Sequence, residues 1–194
     1  MHLLSWVASG DRWLLLKINR DWTAPSLDAI MPVLTDLHRV PWFLYGVGPA
    51  MLALWLWQGK KRALRVLIVA AIAMGVGDFV SHRILKPNFA RLRPDRAGVA
   101  VNLRAPARGT WSFPSNHAVN AGAAAAVLSV AYPGGAYAFA GIAVLIAYSR
   151  VYVGAHYPGD VIGGLALGVL LGWPWALLIL GGDGRSRSSK KKQR

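Results

Sequence analysis

The sequence predicts an all-α fold, a polytopic membrane helix bundle, and three observations carry that expectation. Hydrophobic residues make up 55% of the 194 positions and gather in long runs, charged residues are only 15%, and 22 Lys and Arg stand against 8 acids, every one of them Asp. Soluble domains carry about 25% charged residues, so the shortfall and the runs together point to lipid as the solvent. The length fits one domain, expected at 1–182 and followed by a polar, basic and disordered tail at 183–194. With no cysteine, a disulfide framework, a thiol nucleophile and a Cys-based metal cluster are all excluded.

Residues 1–38 have short apolar stretches broken by Asp11, Arg12, Lys17, Arg20, Asp21 and Asp28. They are expected to form an amphipathic or partly inserted helix, with a sixth full span as the alternative. No basic cluster precedes the first apolar run and no cleavage motif follows it, so no cleavable leader is expected. A hydrocarbon core of about 30 Å takes around 20 helical residues, and five stretches qualify, near 39–58, 63–85, 116–132, 135–153 and 160–181. Pro49 should kink the first, whose Trp55 and Trp57 suit the interface. Pro133, Gly134 and Gly135 make a tight turn between the third and fourth. In the fifth, Gly164, Gly168 and Gly172 share one face, a ridge of small residues that lets a neighbouring helix come close.

The cations lie between the spans rather than along one soluble face, so membrane phosphates, not nucleic acid, are the expected partner. An even number of crossings joins the tail to the turn holding Lys60, Lys61, Arg62 and Arg65, so both are expected on the cytoplasmic side of a bacterial inner membrane. Residues 86–111 then face outward, although Arg83, Lys86, Arg91, Arg93, Arg96, Arg104 and Arg108 crowd that loop and its entrance. Cations placed against the positive-inside tendency suggest a functional role.

In this topology three polar clusters meet at the outer surface: Lys86 to Arg93 and Pro94, then Pro114 to His117, then Ser149 and Arg150 to His156 and Asp160. Three basic side chains, two histidines and a carboxylate suit phosphoryl transfer, where catalysis is mostly positioning and charge neutralisation. Lys86, Arg93 and Arg150 are the expected phosphate clamp, the arginines through their planar forks. Ser115 is the expected N-cap of the third span, leaving the Asn116 and His117 NH groups aimed at an anion. Asp160, four residues after His156 across a Pro-Gly bend, can hold one imidazole nitrogen and free the other to attack. His156 is therefore assigned as nucleophile and His117 as proton donor, then as base toward water. No carboxylate and histidine set has ligand spacing, so neither a metal nor a cofactor is expected.

The three clusters resemble the signature of the type 2 phosphatidic acid phosphatase superfamily: Lys, six residues, Arg-Pro; then Pro-Ser-Gly-His; then Ser-Arg, five residues, His, three residues, Asp. One position departs, Asn116 standing where glycine is usual; its side chain could add a phosphate donor or crowd the site. The flanking spans resemble the membrane branch, and Ile18-Asn19, Pro25, Leu27-Asp28 and Thr35 loosely resemble small bacterial undecaprenyl pyrophosphate phosphatases. The resemblance implies a phosphohistidine intermediate, metal independence and a lipid phosphate or pyrophosphate substrate, with undecaprenyl pyrophosphate favoured. Phosphatidylglycerophosphate, phosphatidate and the 1-phosphate of lipid A are the alternatives, as is a lipid phosphotransferase. Three further groups are expected to have structural roles: Asp78 and His82 as a pair that orients Lys86, Asp36, His38 and Arg39 as a solvated helix end, and Lys190 to Lys192 as a topology anchor.

Overall fold

The computed structural model describes residues 2–107 and 109–180. Arg108, Lys190 to Lys192 and the rest of the 183–194 tail lie outside them, as does the disorder expected there. Among the described residues the fold is all helix, with one isolated bridge between Leu92 and Trp111 in place of any strand. In chain order the α-helices are α1 (His2–Leu16), α2 (Pro25–Thr35), α3 (Gly48–Phe79), α4 (Lys86–Phe89), α5 (Asn116–Ala131), α6 (Ala136–Tyr152) and α7 (Pro158–Leu180).

Among the described residues, three helical runs are long and apolar enough to cross a membrane: Phe43–Phe89, Pro133–Tyr152 and Pro158–Leu180. The first merges the two separate stretches expected at 39–58 and 63–85. At 47 residues it would measure about 70 Å if straight, more than twice the hydrocarbon core. It is broken at Lys60, whose φ of 46° and ψ of −128° are not helical. Glycine and charge explain the position: Gly59, Lys60, Lys61 and Arg62 supply a weak helix former followed by groups that seek water. Arg62 then donates to the Ala131 carbonyl and lies 5.0 Å over the Tyr132 ring, a cation at the C-terminal end of α5. The Lys60 end thus meets the far end of α5 from Asn116.

α5 sits at the centre of the bundle, against α3, α6 and α7. It covers the stretch expected at 116–132 with 16 residues, a short helix that the longer ones surround, and Ala118, Val119, Ala123, Ala126 and Val127 are buried. The glycine ridge of α7 lies on it: a Cβ at Gly164 would stand 2.7 Å from the Ser115 carbonyl oxygen and one at Gly172 2.7 Å from that of Ala123, with Gly168 tighter still. Gly122 of α5 reciprocates against the Leu165 backbone. This contact fixes the register of the chain around Ser115 relative to that around Asp160. Facing outward, Leu170 and Leu178 are 70% and 79% exposed, the apolar exterior a lipid-facing helix needs.

Where the sequence suggests one N-terminal helix, there are two, joined by a wide π-helical turn at Lys17–Asp21. At 15 and 11 residues, α1 and α2 are each short of the roughly 20 a crossing needs. They dock on the end of the bundle that holds the polar clusters. Asn19 is fully buried; its amide donates to the Tyr152 carbonyl at 2.7 Å and the Asn102 carbonyl at 2.9 Å, and its oxygen accepts from the Asn102 NH at 2.7 Å. Asp28 accepts from the Tyr152 hydroxyl at 2.6 Å and pairs with Arg104 at 2.6 Å, which gives that loop arginine a structural role.

Candidate active site

Local turns deliver each polar cluster. After the π-helical turn Val80–Leu85, Lys86 and Pro87 open α4, and Ala90 at φ 44° reverses the chain. The returning strand-like arm is zipped to residues 110–112 by Arg93 NH to the Thr110 carbonyl at 3.2 Å and Ser112 NH to the Arg91 carbonyl at 2.7 Å. Lys86, Arg91, Arg93 and Ser112 are so brought to one corner. The end of α6 supplies Arg150, Gly154 turns at φ 80°, His156 follows, and Asp160 lies in the first turn of α7.

A cavity of about 280 Å³ lies among them, lined by Lys86, Arg93, Asn116, His117, Arg150 and His156, with Asp36 and Arg39 at its edge. Ser115 and Asp160 stand behind that wall, both fully buried. The three sequence clusters therefore share one site, and residues from α2 onward join them.

His156 is buried. Its Nδ1 lies 3.3 Å from the Ser112 hydroxyl and 3.6 Å from Asp160 Oδ2, and Ser112 in turn donates to Asp160 Oδ2. With the hydroxyl proton so used, Ser112 accepts from Nδ1–H, leaving a lone pair on Nε2. That lone pair accepts from Arg93 Nη1 at 2.9 Å. Asp160 is held rigidly, by Arg91 Nη1 at 2.8 Å and the Tyr157 NH at 2.9 Å. Arg91 is braced in turn by Asp11 at 2.5 Å. The expected Asp160 grip on His156 thus passes largely through Ser112.

Burial drives the His156 imidazole down from its ordinary 6.5 to about 3; Asp160 opposes this and Arg93 reinforces it. The sign of the linkage follows: below about 6.5 the unfolded chain takes up a proton that the folded one refuses, so stability held at neutral pH is lost as pH falls toward 3. In detergent, the melting temperature between pH 7.5 and 4.5 should fall more steeply for the native chain than for His156→Gln. Equal slopes would exclude His156 as the source.

The cations are gripped on one side and open on the other. Arg93 Nη1 donates to the Ala155 carbonyl at 2.9 Å, Arg150 Nη1 to Thr35 Oγ1 at 2.7 Å, and Lys86 Nζ to the Trp111 carbonyl at 3.3 Å. Arg93 Nε, Arg150 Nε and Ser115 Oγ are buried with no hydrogen-bond partner among the described residues. Ser115 does occupy the N-cap position of α5, but its hydroxyl makes no capping bond.

Asp36 and Asp78 have other partners than the sequence suggests. Asp36, read as a solvated helix end, places Oδ1 3.6 Å from His117 Nε2, and His38 packs its ring 5.9 Å from that of His117. These three offer ligand atoms within 4.8 Å of one another, so they are a set that could hold a metal ion, which sequence spacing does not reveal. Asp78 does not pair with His82 through its carboxylate; Asn116 Nδ2 donates to Asp78 Oδ1 at 2.6 Å, and the His82 ring nitrogen lies 3.1 Å from the Asp78 backbone oxygen. The Asn116 side chain is engaged by α3 rather than free in the cavity. Sequence reasoning missed Ser112, the brace Arg91 and the edge residue Asp36, none of which belongs to a spaced motif; Thr35 carried a faint signal in the N-terminal pattern.

The model of the PAP2 superfamily matches residues 62–181. Over 126 residues the chain is 38% identical to decaprenylphosphoryl-5-phosphoribose phosphatase of Mycobacterium tuberculosis, covering 62% of this chain and 66% of that one. It is 36% identical over 110 residues to undecaprenyl-diphosphatase of Sulfolobus acidocaldarius, covering 56% and 51%. The matched stretches thus span half to just under two thirds of these relatives' lengths. The crystal structure of a transmembrane PAP2 type phosphatidylglycerolphosphate phosphatase from Bacillus subtilis superposes with a TM-score of 0.65 at 28% identity, over 92% of this chain and 87% of that one.

Proposed function

The chain belongs to the PAP2 superfamily, and from that premise we propose that it removes the terminal phosphate from a lipid phosphate or pyrophosphate in the cavity walled by Lys86, Arg93 and Arg150. The observation that carries this reading is a pair of buried donors, Arg93 Nε and Arg150 Nε, without a partner among the described residues and on side chains that line one 280 Å³ space, with Ser115 Oγ likewise unpartnered behind its wall. Buried polar groups are nearly always satisfied, and donors left open on such side chains await an anion with several acceptor oxygens.

In the proposed cycle, phosphate oxygens draw Arg93 away from His156 Nε2, whose lone pair attacks phosphorus. The bond from phosphorus to the lipid-side oxygen breaks, and His117 gives that oxygen its proton. Water then attacks the phosphohistidine, His117 takes the water proton, and phosphate leaves with His156 restored. Asp36 Oδ1 lies 3.6 Å from His117 Nε2, a carboxylate beside the imidazole that carries the proton. Ser112 and Asp160 fix the Nδ1–H tautomer and offset charge developing on the ring. Lys86, Arg150, Ser115 and the NH groups of Asn116 and His117 at the start of α5 hold the equatorial oxygens.

Placed in a bilayer, the run broken at Lys60 supplies two crossings, and α5, α6 and α7 the other three, with α1 and α2 capping the site. The site end then faces away from the cytoplasm and the Lys60 end toward it. A membrane-impermeant label on a cysteine placed at Gly98 should react in intact cells; reaction only after permeabilisation would invert the orientation.

The substrate test is phosphate release by purified protein in detergent with EDTA, offering undecaprenyl pyrophosphate, decaprenylphosphoryl-5-phosphoribose, phosphatidylglycerophosphate, phosphatidate and lipid A. Release that is lost in His156→Ala supports the metal-free histidine route. Release that EDTA abolishes would overturn metal independence and bring Asp36, His38 and His117 forward as ligands. Silence on all five would favour transfer to another lipid over transfer to water.

A further inference from the structure

Two rows of polar side chains face each other just where an apolar tail leaving the phosphate site would be expected to begin. On one side stand Asp78, His82 and Lys86, four residues apart along α3 and the π-helical turn; on the other stand Asn116 and Asn120, one turn apart on α5. Asn116 Nδ2 donates to Asp78 Oδ1 at 2.6 Å and lies 3.0 Å from His82 Nδ1, while its Oδ1 accepts from Ser81 Oγ at 3.0 Å. Asn120 Nδ2 lies 3.5 Å from both Asp78 oxygens. Helical rise puts the Asp78 rung on the order of 10 Å from Lys86.

These rungs wall a second cavity of about 700 Å³ that shares His82, Asn116 and His117 with the phosphate cavity. Asp78, His82, Asn116, His117 and Asn120 give it one polar wall, and Leu34, Leu37, Phe43, Met74, Ile142 and Ile146 make most of the rest apolar. Laying methylene groups directly along the polar wall would strip water from Asp78, His82 and the two carboxamides without return. A second phosphate there would meet the Asp78 carboxylate, a like charge in poorly screened surroundings. A neutral group bearing hydroxyls fits both constraints, since it can donate to Asp78 and accept from an amide or the His82 ring.

We propose that Asp78, His82, Asn116 and Asn120 form a headgroup subsite selecting lipid phosphates whose phosphate sits on a neutral hydroxylated unit, such as a sugar or glycerol, ahead of the apolar tail. This rests on the phosphatase reading and narrows its substrate class. It also accounts for Asn116, since the carboxamide standing where glycine is usual ties the α5 row to Asp78.

Three probes with one tail test it: a dodecyl glucoside phosphorylated on its primary hydroxyl, dodecyl phosphate and dodecyl diphosphate. The glucoside phosphate should be turned over with at least tenfold higher kcat/KM than the diphosphate. Asp78→Asn should narrow that ratio by raising turnover of the diphosphate, and Asn120→Leu should raise KM for the glucoside phosphate alone. Ratios within one variant do not depend on how much of it folds. Equal kcat/KM for the three probes, or variants that scale all three in parallel, would overturn the subsite. Release from none of the probes and from none of the natural lipids would instead overturn the phosphatase reading itself.

Discussion

His156→Gln is expected to lower phosphate release by roughly four orders of magnitude or more and to remove any phosphoenzyme trapped by acid quench, since loss of a nucleophile is the costliest single change at such a site. Glutamine keeps a polar side chain of similar reach in a fully buried place, so loss of packing contributes little. The reason for so large an effect is the preparation of Nε2. Ser112 and Asp160 hold the proton on Nδ1, burial keeps the ring neutral, and Arg93 at 2.9 Å is the one neighbour that must move before attack. Ser112→Ala should fall between the two, slowing phosphoenzyme formation while leaving it detectable. A His156→Gln protein that still formed a phosphoenzyme would place the nucleophile elsewhere, and the Ser112 relay would lose its purpose.

Arg150→Lys should cost about 10²- to 10³-fold in kcat/KM, comparable to removing a donor from a preorganised anion site, although the formal charge is unchanged. Arg150 spends Nη1 on Thr35 at 2.7 Å and keeps Nε buried, without a partner among the described residues. A lysine ammonium cannot hold Thr35 and present a fixed second donor with the same planar geometry. Thr35→Val separates the two parts: it removes the grip on Arg150 but leaves the fork intact, so a smaller loss, on the order of tenfold, is expected. Steady-state kinetics on the best lipid substrate, with melting curves in parallel, reads both. Full activity in Arg150→Lys would remove Arg150 from the phosphate clamp.

How much of this was legible follows from how the information is stored along the chain. Spans are written in composition, so the helical class and most helix positions could be read directly, and the glycine period of α7 announced its close packing on α5. The break at Lys60 was visible as a basic turn but not as one helical run with a single distorted residue, because that depends on one backbone conformation. Six of the residues that line the cavity, Lys86, Arg93, Asn116, His117, Arg150 and His156, lie in spaced motifs and were found together. Ser112, Arg91 and Asp36 were not, since a lone serine, arginine or aspartate gains meaning only when folding brings it to a partner dozens of residues away. The Asp78 reading failed for a related reason: a spacing of four suggests a partner on the same helix, whereas the partner came from α5.

Asp11, near the beginning of the chain, clasps both Arg91 and the Gly159 NH, the latter 148 residues away. During synthesis this clasp can close only after nearly every helix has entered the membrane, since Gly159 belongs to the first turn of α7. A ribosome-bound precursor that stops short of α7 has the arginines proposed to grip phosphate but lacks Asp160 and the seat for Asp11. On the proposed mechanism, competence to break a phosphate bond is thereby postponed to the last stage of synthesis.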